Sequence, residues 1–254
     1  CILKYVEFFP EKNLSETAEK VLGPFFGNLI ILLVLLLVFL EVAFCFRKYS
    51  EMILLVALPE IDIAPVLAVF LVSCAIATYL GAATIAGAAY ISFPFALSAV
   101  AIICLCSFHL WNSSWMFPVL SKSMGDILLA GVLRSSDYVE LIFLYCFADL
   151  FYPKQIKSIG VKSIGISTLI FLVVMWAYNL SFPSTVGQEN YLPLYTMARN
   201  IYLGRFVQRI EAIFVLFWVV SGCIWLSVGF FINCKLLSDM LKLPDFRPLI
   251  PAMA

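Results

Sequence analysis

Apolar residues in this chain occur in long runs and do not alternate with polar ones. A bilayer core about 30 Å thick requires about 20 apolar residues per crossing helix, and only helices and closed barrels span a membrane. The sequence therefore predicts an all-α membrane protein with six transmembrane helices in one permease-like domain, residues 1–254. The predicted spans are residues 25–46, 63–80, 84–108, 127–152, 163–182 and 211–234, with the small residues 81–87 as the turn between the second and third.

Composition supports a protein surrounded by lipid. The chain is 63% hydrophobic and 13% charged, whereas soluble domains are roughly half apolar and one quarter charged. Sixteen Lys and Arg balance sixteen Asp and Glu, so no net field attracts nucleic acid. The cysteines after Cys1 lie in or beside apolar runs, where cysteine behaves as a small buried hydrophobe. We expect no metal site, no cofactor and no nucleic-acid partner.

Lysine and arginine residues in the loops predict the orientation, because they are enriched on the cytoplasmic side. With six crossings, one side receives Lys4, Lys12, Lys20, Lys154, Lys157, Lys162, Lys235, Lys242 and Arg247. The other side receives Arg47, Lys48, Lys122, Arg199, Arg205 and Arg209. The first set is larger, which places both chain ends in the cytoplasm. Residues 183–208 then form the longest outside loop, with a polar run followed by a surface helix.

The fourth span carries the most informative polar residues. Ionisable groups at membrane depth are costly and usually face a cavity or one another. The sequence around residues 134–140 predicts a half-helix, a polar interruption and a second half-helix, whose free backbone groups and dipoles hold a small zwitterion or an ion. The alternative is that Arg134 and Asp137, three residues apart, neutralise each other at a packing seam. The candidate ligand-binding residues are Gly131, Ser135, Ser136, Asp137, Tyr138 and Glu140.

Catalytic constellations do not occur in the sequence. The single histidine, His109, lies beside Trp111 and Trp115, no Ser/His/Asp grouping is plausible, and no glycine loop could hold a phosphate. In the sixth span, Trp218 and Ser221 are three residues apart and so lie on one face of a helix. Residues at this spacing more often contact the core or lipid than a ligand. We therefore predict a binding or transport protein and no enzyme.

Three landmarks resemble the GerAB family of endospore germination permeases. The most specific is the block 193–214, which contains Arg199, Gly204, Arg209 and Glu211 and is followed by Trp218. The other two are the entry segment 9–23 and the exit segment 243–249. The resemblance implies a ten-helix, LeuT-like fold of the amino acid/polyamine/organocation superfamily, built on inverted repeats.

On that fold the six spans would be helices three to eight, so the chain would be truncated at both ends. The fourth span would be the sixth helix of the family, one of two broken helices that enclose the substrate. Only this resemblance adds Trp218 and Ser221 to the candidate binding residues.

The resemblance also implies a function. The chain would be an integral membrane subunit of a three-part germinant receptor in the inner spore membrane, together with a large membrane subunit and a lipoprotein. It would sense nutrients such as amino acids and trigger germination, whether or not it transports them. Two alternatives remain open: a secondary transporter of amino acids or organic cations, and a conduction pathway for water or ions.

Overall fold

The computed structural model describes residues 14–117, 123–134, 143, 146, 153–187, 189–190, 192–202 and 210–254. Regular structure in this part of the chain is helical throughout, without a strand. Five helical segments are long and apolar enough to cross a membrane: Leu14–Val56, Ile63–Leu80, Ala82–Leu110, Ser158–Ser181 and Glu211–Met240. Of the predicted fourth span, residues 127–134 and the isolated positions 143 and 146 are described.

Helix α1, Leu14–Val56, consists of two helices joined at Gly23, which has a φ of 80°. Glycine adopts this left-handed conformation without a Cβ clash, and Pro24 follows at the first position of the longer helix, where its missing N–H is not needed. The predicted span 25–46 lies inside this helix. The helix continues past Arg47, whose Nε lies 2.7 Å from Glu51 Oε1, because the residues up to Val56 also favour helix.

Helices α2, Ile63–Leu80, and α3, Ala82–Cys106, are separated by Gly81 alone. Its φ of 93° allows the chain to reverse, and its N–H donates to the carbonyls of Ala77 and Thr78. The predicted turn over 81–87 is therefore shorter than expected, since alanine and threonine after Gly81 continue as helix. Short 3-10 helices at Ser107–Leu110 and Ser113–Met116 follow α3, and α4 spans Met124–Arg134.

The remaining helices are α5, Pro153–Ser181; α6, Ser184–Gly187; α7, Pro193–Asn200; α8, Ile210–Met240; and α9, Ile250–Met253. Helix α8 extends six residues beyond Cys234, where the apolar run of the sixth predicted span ends. The chain divides into two compact units. The first contains Cys1–Ile91, Leu141–Ser158 and Val219–Ala254, and the second contains Ser92–Glu140 and Ile159–Trp218.

In the first unit α1 packs antiparallel to α8. A Cβ added at Gly229 would overlap Val42 Cγ2, and a Cβ added at Gly222 would lie 2.6 Å from Tyr49 Cε1. Both pairs are seven residues apart on their own helices, so the contact follows two turns of each helix. The buried residues of α1 form one stripe at intervals of three and four: Gly27, Ile31, Leu35, Val38, Val42, Phe46, Ser50 and Ile53.

Helix α2 runs parallel to α8 in the same unit. Near its middle, Cys74 Sγ lies 3.7 Å from the carbonyl oxygen of Cys223. Beyond its end, Ala82 lines a recess together with Phe231 and Lys235. The segment after α8 returns to this end of the unit, because the Arg247 guanidinium stands over the Tyr79 ring at 5.0 Å from its centroid.

The second unit has a core built from α3, α5, α7 and the start of α8. Its buried residues are Ile103, Cys104, Ala177, Tyr178, Met197, Ala198, Ile201 and Phe214. Helix α7 lies within the segment 183–208, where the sequence predicts a surface helix. Its Met197 and Ala198 are fully buried, so the segment is packed down onto the unit.

Candidate functional site

Most of the predicted binding residues fall outside the described residues. Ser135, Ser136, Asp137, Tyr138 and Glu140 belong to this group, and their binding role stays a prediction. Gly131 is described: it lies on α4 and is exposed. Among the described residues, apart from its own neighbours in the helix, no atom lies within 4 Å of a Cβ built at this position.

The described part of helix α4 ends at Arg134, directly before the predicted polar interruption. Its side chains from Met124 to Leu133 are all exposed, although Leu128, Val132 and Leu133 are large and apolar. A helix with this composition requires lipid or further helices around it. In the part of the chain that the structure describes, α4 therefore has exposed side chains on every face.

Trp218 and Ser221 lie one turn apart on α8 and have different surroundings. Trp218 is half-buried and packs against the core of the second unit, which agrees with the alternative that it is a core residue. Ser221 is exposed. Their contribution to a binding site stays a prediction.

Two of the four landmark residues are described. Arg199 is exposed in the last turn of α7, where a cation interacts favourably with the negative end of the helix dipole. Glu211 is half-buried in the first turn of α8, where an anion is favoured for the same reason. Gly204 and Arg209 lie outside the described residues.

The fourth segment contacts α8 at two described positions of the first unit. The Phe143 ring lies 6.2 Å from the Trp225 ring, centroid to centroid. One turn later, the carbonyl oxygen of Cys146 accepts a hydrogen bond of 3.2 Å from Lys235 Nζ. The sequence places Lys235 in a cytoplasmic loop. In the structure Lys235 lies within α8, which continues to Met240.

Buried polar side chains cluster where α2 meets α8. Ser227 Oγ donates to the Cys223 carbonyl at 2.6 Å, the same carbonyl that Cys74 approaches. Thr78 Oγ1 lies one turn after Cys74 on α2 and, like Asn28 Oδ1 of α1 and Asn233 Oδ1 of α8, is a buried atom without a hydrogen-bond partner within the described residues. Such groups are rare in folded proteins because an unsatisfied buried polar atom costs about 1–3 kcal/mol.

A polar recess of about 380 Å³ lies beside the carboxyl-terminal end of α8. Lys242 has a φ of 54° there, and its Nζ donates to both Glu19 carboxylate oxygens at 2.9 and 3.3 Å. This ion pair joins the start of α1 to the end of α8. No group of three or more histidine, cysteine or acidic residues among the described positions could hold a metal ion.

Tyr178 organises the loop that precedes α7 in the second unit. Its hydroxyl donates to the Gly187 carbonyl at 2.8 Å and accepts from Asn190 Nδ2 at 2.8 Å. The ring is buried, at 5% exposure, and lies 5.1 Å from the Phe182 ring. One hydroxyl therefore attaches the loop to α5 at two points.

We expect Tyr178→Phe to loosen this loop without unfolding the protein. The substitution removes both hydrogen bonds, worth about 1 kcal/mol each, and keeps the buried ring. Limited proteolysis in membranes should cut the segment 183–192 about tenfold faster than in the wild type. Ser167→Ala is the control, because the Ser167 hydroxyl donates to the Ser163 carbonyl of its own exposed helix. Equal cleavage rates in Tyr178→Phe and wild type would contradict the role of the hydroxyl.

Comparison with known proteins identifies the family. The model of the Spore_permease family, described as spore germination protein, matches residues 1–254. The chain belongs to this family. The resemblance read from the landmarks is thereby confirmed, and with it the assignment to spore germination. The family is one of permeases and not of enzymes, and together with the long apolar helices it makes this spore germination permease an integral membrane protein. No curated protein and no solved structure matches the chain.

Proposed function

We propose that this chain is the membrane subunit of a germinant receptor in the inner spore membrane, where it senses nutrients such as amino acids. The observation that carries the proposal is the match of the spore germination family to all of residues 1–254. The other subunits would be a large membrane subunit and a lipoprotein. Binding would shift the equilibrium between two packings of the helices, and the partner subunits would respond to that shift.

The proposed germinant site is the polar interruption of the fourth segment. It comprises Gly131, Ser135, Ser136, Asp137, Tyr138 and Glu140, with Trp218 and Ser221 as further candidates. The cost of placing these polar groups in a membrane supports a ligand or a cavity beside them. The exposed helix α4 ends directly before this stretch.

Substitutions at Ser136 and Tyr138 in the full-length protein test the site. We expect Ser136→Ala and Tyr138→Phe to raise the nutrient concentration for half-maximal germination by about tenfold, since each removes a hydrogen bond of about 1 kcal/mol or somewhat more. The germination of spores is measured across a panel of amino acids. Ser167→Ala serves as the matched control. Dose responses that remain unchanged for every nutrient would remove the site assignment.

Uptake measurements separate sensing from transport. A receptor that only senses should bind nutrient without accumulating it in proteoliposomes. Saturable accumulation driven by a proton or sodium gradient would instead favour the secondary transporter. Flux that no nutrient saturates would favour a conduction pathway.

A further inference from the structure

A recess lined by apolar side chains lies in the first unit, at the end where α1 passes into α2. Its volume is about 340 Å³. The buried part of its wall comes from Ile53 of α1 and from Val66 and Phe70 of α2. Val219 and Cys223 of α8, both half-buried, form the third side. Among the described lining side chains, the Cys223 thiol is the only group with a heteroatom.

The lining determines what kind of molecule the recess can hold. An ammonium or a carboxylate placed there would lose its hydration without gaining a hydrogen bond, because the described side chains offer only a weakly polar thiol. The recess is therefore unsuitable for a nutrient zwitterion. An apolar cavity of about 150 Å³ stays dry and holds a benzene-sized molecule, so this recess has room for a hydrocarbon group roughly twice that size.

One side of the recess opens onto exposed apolar surface. Leu58, Ile61 and Val69 line it and are 38%, 44% and 67% exposed. Val69 lies on α2, which has no charged residue and is long and apolar enough to cross a membrane. In an integral membrane protein such a surface faces the hydrocarbon core of the bilayer. A lipid acyl chain can therefore enter the recess from the side without passing through water.

Two acidic residues lie at the polar end of the recess. Glu60 and Asp62 are exposed in the turn between α1 and α2. Asp62 is the N-cap residue of α2, but its side chain makes no capping hydrogen bond. In the described part of the chain, neither carboxylate has a hydrogen-bond or ion-pair partner. The recess begins next to them and extends to Phe70, about 12 Å from Asp62 along the helix axis at 1.5 Å per residue.

This order of groups matches a phospholipid whose headgroup carries a primary ammonium. In such a lipid the charged headgroup lies at the membrane boundary and the acyl chain continues into the hydrocarbon core, as the carboxylates and the recess do. The two carboxylates attract the ammonium and repel a headgroup with a net negative charge. A lipid such as phosphatidylglycerol would have the same chain contact but would place its charge beside two like charges.

We propose that the recess between α1, α2 and α8 binds one acyl chain of phosphatidylethanolamine, with Glu60 and Asp62 holding the ammonium of its headgroup. The bound chain fills a gap between three helices and so stabilises their packing. This inference goes beyond the proposed function and does not depend on it, because no residue of the recess belongs to the fourth segment.

Photolabelling of the full-length protein in nanodiscs tests the site. The probe is a trace of phosphatidylethanolamine with a diazirine near the middle of one acyl chain, in a matrix of phosphatidylglycerol, and the labelled residues are located by peptide-resolved mass spectrometry. We expect label at residues 65–70 and 219–223 in excess over the similarly exposed surface of α5 at residues 169–173.

A change of matrix distinguishes a specific site from general lipid contact. Replacing half of the phosphatidylglycerol by unlabelled phosphatidylethanolamine should lower the recess label about fivefold, as expected if the two carboxylates give the site about tenfold preference for this headgroup. The label at residues 169–173 should not change, because the mole fraction of the probe is the same. This comparison uses the wild-type protein and needs no substitution.

Two variants separate the chain contact from the headgroup contact. Val69→Phe places a ring at the mouth of the recess and should lower its label about tenfold. Val72→Phe is the matched control, because Val72 is exposed on the same helix but is not among the described lining residues. Glu60→Gln combined with Asp62→Asn should abolish the effect of the matrix. Asp126→Asn, which removes an exposed carboxylate from α4, should retain it.

Three results would overturn the proposal. Label that follows exposure alone, without an excess at the recess, would show only the general layer of lipid around the protein. A recess without label would show that another helix or a second copy of the chain covers it. Recess label that does not respond to the matrix in the wild type would exclude the preference for the ammonium headgroup. None of these results affects the proposed germinant site, which the Ser136 and Tyr138 variants test separately.

Discussion

Gly229→Ala should destabilise the spore germination permease by about 1–3 kcal/mol, although alanine is the better helix former. The added Cβ would overlap Val42 Cγ2 across the contact between α1 and α8. Valine has one strongly preferred rotamer in a helix and cannot turn aside, so the helices must separate. Thermal unfolding of the purified full-length protein measures the effect.

Gly87→Ala is the matched control, because no described residue beyond its own helix lies within 4 Å of a Cβ at that position. There the same substitution should leave stability unchanged or raise it by up to about 1 kcal/mol through helix propensity. Val42→Ala should rescue Gly229→Ala. The loss of unfolding free energy in the double variant should be smaller than the sum of the losses in the two single variants by about 0.5–3 kcal/mol. Strict additivity of the two substitutions would contradict the contact.

Gly27→Ala should detach the short amino-terminal helix of α1 from the longer one. A Cβ at Gly27 would lie 2.7 Å from the Glu19 backbone nitrogen and 2.8 Å from the Ala18 carbonyl carbon. Backbone atoms cannot give way as a flexible side chain does, so residues 14–22 must move as a body. That movement would break the ion pair between Glu19 and Lys242, in which Nζ and Oε1 are 2.9 Å apart.

Carbodiimide crosslinking measures this movement directly, because it joins a carboxylate and an amine that are in contact. The wild type should give an amide between Glu19 and Lys242, and Gly27→Ala should reduce its yield by about tenfold or more, as expected for a clash costing about 1–3 kcal/mol. Gly165→Ala, at a position with open space around it, should keep the wild-type yield. A full yield in Gly27→Ala would show that the two helices do not pack as described.

The helices themselves were predictable from the sequence. The predicted second span and helix α2 share the bounds 63 and 80, since its flanks, Asp62 and Gly81, both interrupt an apolar run. A helix in the loop before α8 was also predicted, although as a surface helix, whereas Met197 and Ala198 of α7 are buried. These features depend only on residues close together in the chain.

The candidate site was predictable only in part. The polar residues 135–140 stand out in an apolar run because placing them in lipid costs free energy. This can be recognised from the sequence alone, without knowledge of tertiary contacts. The contact of Lys235 with the fourth segment was not predicted, since the apolar run ends at Cys234 and a lysine after it resembles a loop residue. Only the continuation of α8 to Met240 and the carbonyl of Cys146, far away in the sequence, reveal its position.

The sequence by itself determined that this chain forms apolar helices long enough to cross a membrane, because hydropathy is a sum over neighbouring residues. It could not tell which face of each helix packs. In α1, Leu35 is 7% exposed while Leu33 and Leu36 are 53% and 48% exposed, although all three are the same residue. Only the tertiary structure shows which face of α1 is buried: the face on which Val42 contacts Gly229 and Tyr49 contacts Gly222. The sequence could not show this, because the close approach of two helices depends on residues that are distant in the chain.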